Sequence, residues 1–162
     1  MSFKTSIFSI LLCLLFALFF SFASSRGNAV TLNSYPLFAI CGFISFMLHW
    51  TVFVPSYVLK TELFFDITGS ICYLAILSFA IYNKPNIDFR ALIIFCLISI
   101  WAIRLGSFLF IRIKRKGLDR RFTVMKTKFW WFLFTWTMSG LWVLITSGAA
   151  LTVLTSDVTK AI

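Results

Sequence analysis

Five long apolar runs constrain the fold of this sequence more than any other feature. They cover Ser6–Ala23, Tyr35–Leu59, Glu62–Tyr82, Ala91–Ile113 and Phe129–Leu154. Each is close to the roughly 20 mainly apolar residues that an α-helix needs to cross a bilayer. The chain is also 60% hydrophobic and only 12% charged, too apolar for one water-soluble core. We therefore predict an all-α fold, a polytopic transmembrane bundle of about five helices.

The positive charge is concentrated between the fourth and fifth runs. The formal net charge of the chain is +10, and eight of its 15 Lys and Arg residues lie in the stretch Arg112–Lys128. A basic loop between two membrane-length segments is typical of the cytoplasmic side and of contact with anionic lipid headgroups. Membrane lipids are thus the expected partner. Nucleic acid is not, since binding it needs a basic face on a folded domain.

The loop charge also predicts the orientation of the whole chain. If the Arg112–Lys128 loop is cytoplasmic, Lys60 and the N-terminus with Lys4 lie on the same side, and ten basic residues face four on the other side. The four are Arg26, Lys84, Arg90 and Lys160. Arg104 is left within the membrane. We predict a multi-pass protein with a cytoplasmic N-terminus and a cytoplasmic Arg112–Lys128 loop.

The first run has two interpretations. Lys4, the apolar stretch Ile7–Phe20 and the small residues at its end also follow the pattern of a signal peptide. The run is long and rich in Phe and Leu, which favours a retained helix. We divide the chain into residues 1–34, an N-terminal hydrophobic helix or signal anchor, and residues 35–162, a transmembrane helical domain.

The four cysteines do not form a metal site or a disulfide framework. Cys13, Cys41, Cys72 and Cys96 lie in four different apolar runs, and no two of them form a CxxC pair. A zinc site would also want histidines, and the chain has one. We predict no metal and interpret the cysteines as small buried hydrophobic residues.

Two charges lie within the apolar runs and are expected to meet. Charged side chains inside a bilayer are costly and tend to face the bundle and pair. Counted from the cytoplasmic side, Asp66 and Arg104 lie at depths that allow an ion pair between antiparallel helices. The alternative is that Arg104 extends to the interface while Asp66 sits in a first helical turn.

Two carboxylates and one histidine are the candidate catalytic residues. Glu62 and Asp66 are four residues apart, so on a helix they would share a face, where one pKa could rise. The alternative is that they complement a helix N-terminus, with Thr61 as the N-cap. His49 lies mid-membrane in the second run and is either a proton donor or part of an interhelical hydrogen bond.

Small residues recur on one face of the fifth run. Ser139-Gly140 and Ser147-Gly148 are eight residues apart. This spacing favours close contacts with neighbouring helices over a binding site.

Three stretches in the second half of the chain point to a family. They are Thr61–Leu74, Trp101–Phe122 and Phe129–Ser156. Across Lys60–Asp157 the chain resembles the N-terminal part of an uncharacterised membrane family, domain of unknown function 1295, that is related to steroid 5-alpha-reductases.

The resemblance implies an enzyme that reduces a carbon–carbon double bond in a lipid or steroid with NADPH. In the wider superfamily the C-terminal half holds the cofactor and carries a motif like RHPNYFGE, which this sequence lacks. We therefore expect this chain to be inactive alone and not to bind NADPH alone, with a second chain as one source of the C-terminal half. The alternative is a non-catalytic membrane subunit or scaffold. The family-like motifs contain Glu62, Asp66, Arg104, Asp119, Arg120 and Arg121. Of these, Arg120 and Arg121 are the candidates for cofactor contact.

Overall fold

The computed structural model of this chain describes residues 2–25, 29–117 and 119–156, without the side chains of Lys116 and Arg120. The helices in chain order are α1 (Phe3–Ser24), α2 (Leu37–Val58), α3 (Phe65–Tyr82), α4 (Phe89–Lys116), α5 (Phe129–Thr146) and α6 (Gly148–Leu154). Strands β1 (Thr31–Leu32) and β2 (Tyr35–Pro36) form a short antiparallel hairpin. Arg26 and Lys160, which entered the charge count, lie outside the described residues.

The predicted all-α bundle is confirmed. Five of the helices, α1 to α5, are long and apolar enough to span a membrane. The fifth run differs in one respect, because it breaks at Ser147 into α5 and the short α6. A Cβ atom at Gly148 would lie 2.7 Å from the Phe20 ring. The break therefore falls where glycine, a poor helix former, allows the chain to approach α1 closely.

Helix α2 lies at the centre of the bundle and α4 at its edge. Helix α2 packs against α5, α3 and α1, whereas α4 packs mainly against α3. Accordingly, 44% of the α2 span is buried and only 11% of the α4 span. The core contains fully buried Phe38 and Cys41 from α2, Cys72 and Ile76 from α3, and Leu144 from α5.

The first helix is part of this bundle. Cys13, Ala17 and Ser21 on one face of α1 are buried, and the rings of Phe20 and Phe38 meet edge to face with centroids 5.7 Å apart. The rest of α1 is an exposed apolar surface suited to lipid. That α1 is retained, and not cleaved as a signal peptide, stays a prediction. The division of the chain at residue 34 also stays a prediction.

The two ends of the bundle differ in character. At one end, which we call the basic end, α1 begins and residues 59–64 and 117–128 connect the helices. At the other, the hairpin end, the buried Lys84 ammonium donates to the carbonyl oxygens of Val153 and Ser156 at 3.1 and 2.6 Å. A cation there complements the carbonyl end of α6.

The prediction that the cysteines are buried is correct for three of the four. All four are free; Cys13, Cys41 and Cys72 are buried, while Cys96 is exposed on α4. Within the described part of the chain, no group of three His, Cys, Asp or Glu side chains lies together in a way that could hold a metal ion.

Candidate functional site

The basic loop is shorter than the sequence indicates and is folded against the bundle. Helix α4 continues to Lys116 and ends at Gly117, whose φ of 75° is the left-handed conformation that glycine adopts at little cost. In the loop, Phe122 is 3% exposed. Its ring packs against those of Phe65 and Phe132, with centroids 4.9 and 6.3 Å away. An aromatic anchor thus fixes the loop to α3 and α5.

Glu62 is the centre of the loop contacts. Its side chain is 5% exposed and its Oε2 lies 2.7 Å from the Lys126 ammonium, itself 15% exposed. The backbone N–H of Asp119 donates to Oε1 at 3.0 Å. Burial alone would raise the pKa of Glu62, but the Lys126 hydrogen bond and the Asp119 N–H outweigh it and hold that pKa below its usual value. Glu62 is therefore an ionised anchor joining the two connections at the basic end.

The predicted helix face shared by Glu62 and Asp66 is not formed. Helix α3 begins at Phe65, so Glu62 precedes the helix and its carbonyl accepts from the Phe65 N–H at 3.0 Å. The Thr61 hydroxyl accepts from the Leu63 N–H at 3.2 Å and closes a turn, so it does not cap α3. Asp66 does lie in the first turn of α3, where a carboxylate complements the helix dipole.

The predicted ion pair between Asp66 and Arg104 is not formed, because Asp66 pairs with another arginine. Its Oδ2 lies 3.5 Å from Nη2 of Arg112, and not beside Arg104. A Cβ at Gly106 would lie 2.6 Å from the Ser70 Cβ, so residues 70 and 106 face each other across antiparallel α3 and α4. In that register Asp66 faces the level of Arg112, and Arg104 lies about two turns deeper. Arg104 is exposed on the outer face of α4 and forms no ion pair with the described residues.

Of the two candidate cofactor residues, Arg121 forms an ion pair with Asp119. Arg121 donates through Nε to both carboxylate oxygens of Asp119 at 3.0 Å. This pairing lowers the pKa of Asp119 and raises that of Arg121. The Arg121 side chain of this pair is 63% exposed. The side chain of Arg120 lies outside the description.

His49 is fully buried between α2 and α5. Its Nδ1 lies 2.8 Å from the Ser45 carbonyl oxygen and its Nε2 lies 3.1 Å from the Ser139 hydroxyl. A carbonyl oxygen only accepts, so Nδ1 carries the proton, and Nε2 of the neutral ring accepts from Ser139. Both ring nitrogens are thus satisfied within the bundle, as the interhelical hydrogen-bond interpretation requires.

Other neutral polar groups extend this cluster. The Ser45 hydroxyl donates to the Gly140 carbonyl at 2.9 Å, and the Cys72 thiol lies 3.3 Å from the same hydroxyl. A Cβ at Gly140 would lie 3.3 Å from the Phe46 ring. The predicted close contacts are confirmed, with α2 at Gly140 and with α1 at Gly148. They do not share one face of a single helix, because Gly148 begins α6. The cluster joins α2, α3 and α5 without a charged group.

Several recesses on the lipid side lie outside these clusters, and two of them lie between helices. A cavity of about 280 Å³ opens between α1, α2 and α5. A groove of about 360 Å³ runs between α3 and α4. The cavity is lined by Leu14, Ala17, Leu18, Ser21, Ala39, Gly42, Phe43, Phe46, Met47, Trp50 and Leu144. Its polar lining consists of the Ser21 hydroxyl and the edge of Trp50, whose indole N–H donates to Thr137 at 3.0 Å.

The described residues do not fit the pyrophosphate of NADPH. Three basic side chains at the basic end have acidic partners, since Arg112 pairs with Asp66, Arg121 with Asp119 and Lys126 with Glu62. Lys114 and Arg115 are exposed on the last turns of α4, where point charges on one helix do not enclose a phosphate. The Lys60 ammonium lies over the Tyr57 ring, 3.4 Å from its centroid. The sequence also lacks a Gly-rich phosphate loop. We therefore derive no chemical step through this cofactor.

Sequence reasoning missed the partners of the candidate residues. Lys126, Arg112 and Ser139 are separated from Glu62, Asp66 and His49 by 64, 46 and 90 positions. Such distant pairs leave no local signal in a single sequence. The sequence identified Lys126 only as one of the basic residues of the loop.

Comparison with protein families gives one match. The model of the family described as "Protein of unknown function (DUF1295)" matches residues 52–162. This covers more than half of the chain and agrees with the stretch in which the sequence resemblance lies. Comparisons with curated proteins and with solved structures gave no significant match.

Proposed function

Since the chain belongs to the DUF1295 family, we propose that it is an integral membrane protein of reductase-like lineage that holds an apolar lipid or steroid between its helices. In this proposal the chain supplies the substrate side of the reaction. It does not bind NADPH by itself, and a segment or chain other than the described helices provides the cofactor. The basic end faces the cytoplasm.

The observation that carries the proposal is the cavity between α1, α2 and α5. Its walls are almost entirely apolar, it opens toward the bilayer, and the Ser21 hydroxyl supplies one hydrogen-bonding group. Ligand sites of this kind combine an apolar lining with a few polar groups that orient the ligand. A substrate dissolved in the bilayer would enter from the side, without passing through water.

Filling the cavity tests this proposal. We expect a fluorescent sterol to bind the detergent-purified protein saturably and Ala39→Trp, which fills the cavity, to weaken binding at least tenfold. Ala23→Trp is the matched control, because Ala23 is exposed on α1 and does not line the cavity. Non-saturable binding, or equal binding by the two variants, would exclude the cavity as the substrate site.

A second function is favoured by the internal pairing of the candidate catalytic groups. Glu62 is held by Lys126 and His49 by Ser45 and Ser139. Groups in such contacts stabilise a fold and need no substrate. A non-catalytic membrane subunit or scaffold would show these contacts and no saturable sterol binding, so the same titration separates the two functions.

The cofactor part of the proposal has its own test. We expect NADPH, titrated into the purified protein at about 0.15 M salt, to give no saturable fluorescence change in the micromolar range. Saturable binding that Arg120→Ala or Arg121→Ala abolishes would contradict the proposal and identify a cofactor site in the basic loop.

The orientation is tested by labelling single introduced cysteines in intact cells. We expect Val124→Cys in the basic loop to resist an impermeant thiol reagent and Thr31→Cys in the hairpin to react. Both positions are exposed. Labelling of the Val124→Cys variant from outside would reverse the topology.

A further inference from the structure

Arg104 is a cation inside the membrane span on the outer face of α4. The helix has 28 residues, and at about 1.5 Å per residue Arg104 lies about 18 Å from Lys116 and about 22 Å from Phe89. Within the apolar run Ala91–Ile113 it lies about 20 Å from one end and about 14 Å from the other, so it is inside the membrane span and nearer the basic end. Its side chain is exposed on the side of α4 that faces away from α3.

The described acidic side chains are all engaged elsewhere. Asp88 caps the start of α4 and pairs with Arg90. The other three described pairs join Asp66 to Arg112, Asp119 to Arg121 and Glu62 to Lys126. A second copy of the described chain therefore brings no free carboxylate to Arg104.

Extension of Arg104 to the nearer interface is disfavoured by the direction of its side chain. In an α-helix the Cα–Cβ bonds tilt toward the helix N-terminus. The N-terminus of α4 is at the hairpin end, whereas the nearer interface is at the basic end. Arg104 also lies in a depression of about 280 Å³ that it shares with Trp101, Leu105 and Phe108. Ionisable groups at this depth generally pair with other protein groups.

The surface around Arg104 is suited to helix packing. We call it the α4 outer face. Its exposed apolar side chains are those of Leu97, Ile100 and Phe108, with Trp101 at the border of the face. The Trp101 ring also packs edge to face against Tyr73 of α3, with centroids 5.2 Å apart. A continuous apolar strip with one central cation has the form of a helix interface that is specified by a single charged contact.

We propose that the α4 outer face binds a transmembrane helix of a partner protein that presents an Asp or Glu at the depth of Arg104. The carboxylate would accept two parallel N–H bonds from the Arg104 guanidinium, the geometry that this pair favours. Trp101 and Phe108, about one turn to either side, would pack against the partner helix. This inference does not depend on the substrate or cofactor of the chain.

The test uses a defined probe in lipid vesicles. A synthetic leucine helix of about 20 residues with one central Glu is compared with the same helix carrying Gln, and association with the full chain is measured by energy transfer. We expect the Glu helix to associate at least tenfold more tightly than the Gln helix. Arg104→Leu should remove this preference and Arg104→Lys should retain part of it.

Two controls keep the test specific. Phe19→Leu changes an exposed apolar residue on α1 and should leave the preference for Glu unchanged. Phe108→Ala keeps the charge of Arg104 and should weaken binding of the Glu helix several-fold, a result that does not depend on how well Arg104→Leu folds.

Three results would overturn the inference. They are equal association of the Glu and Gln helices, a preference for Glu that survives in Arg104→Leu, and energy transfer between two labelled copies of the chain that Arg104→Leu abolishes. The last would show that a second copy covers the α4 outer face.

Discussion

The basic end and the interior of the bundle hold their polar groups together by different means. At the basic end, three ion pairs join Glu62 to Lys126, Asp66 to Arg112 and Asp119 to Arg121. In the interior, the contacts are neutral hydrogen bonds, such as those from Ser139 to His49 and from Ser45 to Gly140. Charges are tolerated near water, whereas the membrane interior favours neutral groups that satisfy one another.

This difference changes how the candidate residues are interpreted. A carboxylate such as that of Glu62, in a partly exposed set of ion pairs, is ionised and anchors the loop. A histidine whose two ring nitrogens are bonded within the bundle joins two helices. Among the residues that the structure describes, neither region supplies an unengaged acid or base beside the cavity between α1, α2 and α5. Among the described residues of the membrane-spanning helices, Arg104 is a charged group that fits neither pattern.

Removing the charge of Glu62 should have the largest effect. Glu62→Gln leaves the part-buried Lys126 ammonium without the buried carboxylate that is its counter-ion, and breaking a buried pair typically costs about 3–5 kcal/mol. We expect this loss in the free energy of unfolding, measured by denaturant titration in detergent. Asp119→Asn is the control, since its partner Arg121 is 63% exposed and the expected loss is below about 1 kcal/mol. Equal losses would remove the distinction between the two pairs.

Acidification should weaken the basic end through Glu62. The folded pKa of Glu62 lies below its ordinary value of 4.5. Its contribution to stability is therefore full above pH 4.5 and is lost as the pH falls through the folded pKa. We expect the free energy of unfolding to fall more steeply between about pH 5 and pH 3 in the wild type than in Glu62→Gln. Parallel curves would show that Glu62 does not titrate with folding.

A neutral interhelical bond should contribute less than the buried ion pair. Ser139→Ala removes the hydroxyl that donates to His49, and such bonds within membrane bundles average about 0.6 kcal/mol, up to about 1.7. The same denaturant titration measures the loss, with Ser78→Ala, an exposed serine on α3, as the control. A loss as large as that of Glu62→Gln would contradict the comparison between the two regions.

The effect at Asp66 should have the lowest upper limit of the three substitutions. Its pair with Arg112 is 3.5 Å long and partly exposed on both sides, so Asp66→Asn should cost no more than about 1 kcal/mol. The free energies of unfolding of Asp66→Asn and Glu62→Gln are then compared. The comparison shows whether exposure or sequence position determines how much a carboxylate contributes to stability. A loss of about 3–5 kcal/mol, the size expected for a buried pair, would show that Asp66 is more deeply enclosed.

Much of the architecture could be predicted because membrane-spanning helices depend on local composition. A run of about 20 apolar residues has few ways to satisfy its backbone in lipid other than as a helix, so the first run became α1 and the fourth became α4. The family could also be identified from Thr61–Leu74 and the stretches that follow it. These features depend on residues that are neighbours along the chain.

The partners of the polar residues were decided only by the tertiary structure. Helix α4 continues past its apolar run to Lys116, and the packing of Ser70 against Gly106 sets its register on α3. That register brings Arg112, and not Arg104, to Asp66. Glu62 meets Lys126 because Phe122 anchors the loop against α3 and α5. The sequence alone determined which residues are charged and which segments are helical. Which charges meet depends on helix register and loop packing, where a shift of one or two turns moves a side chain beyond the reach of its partner.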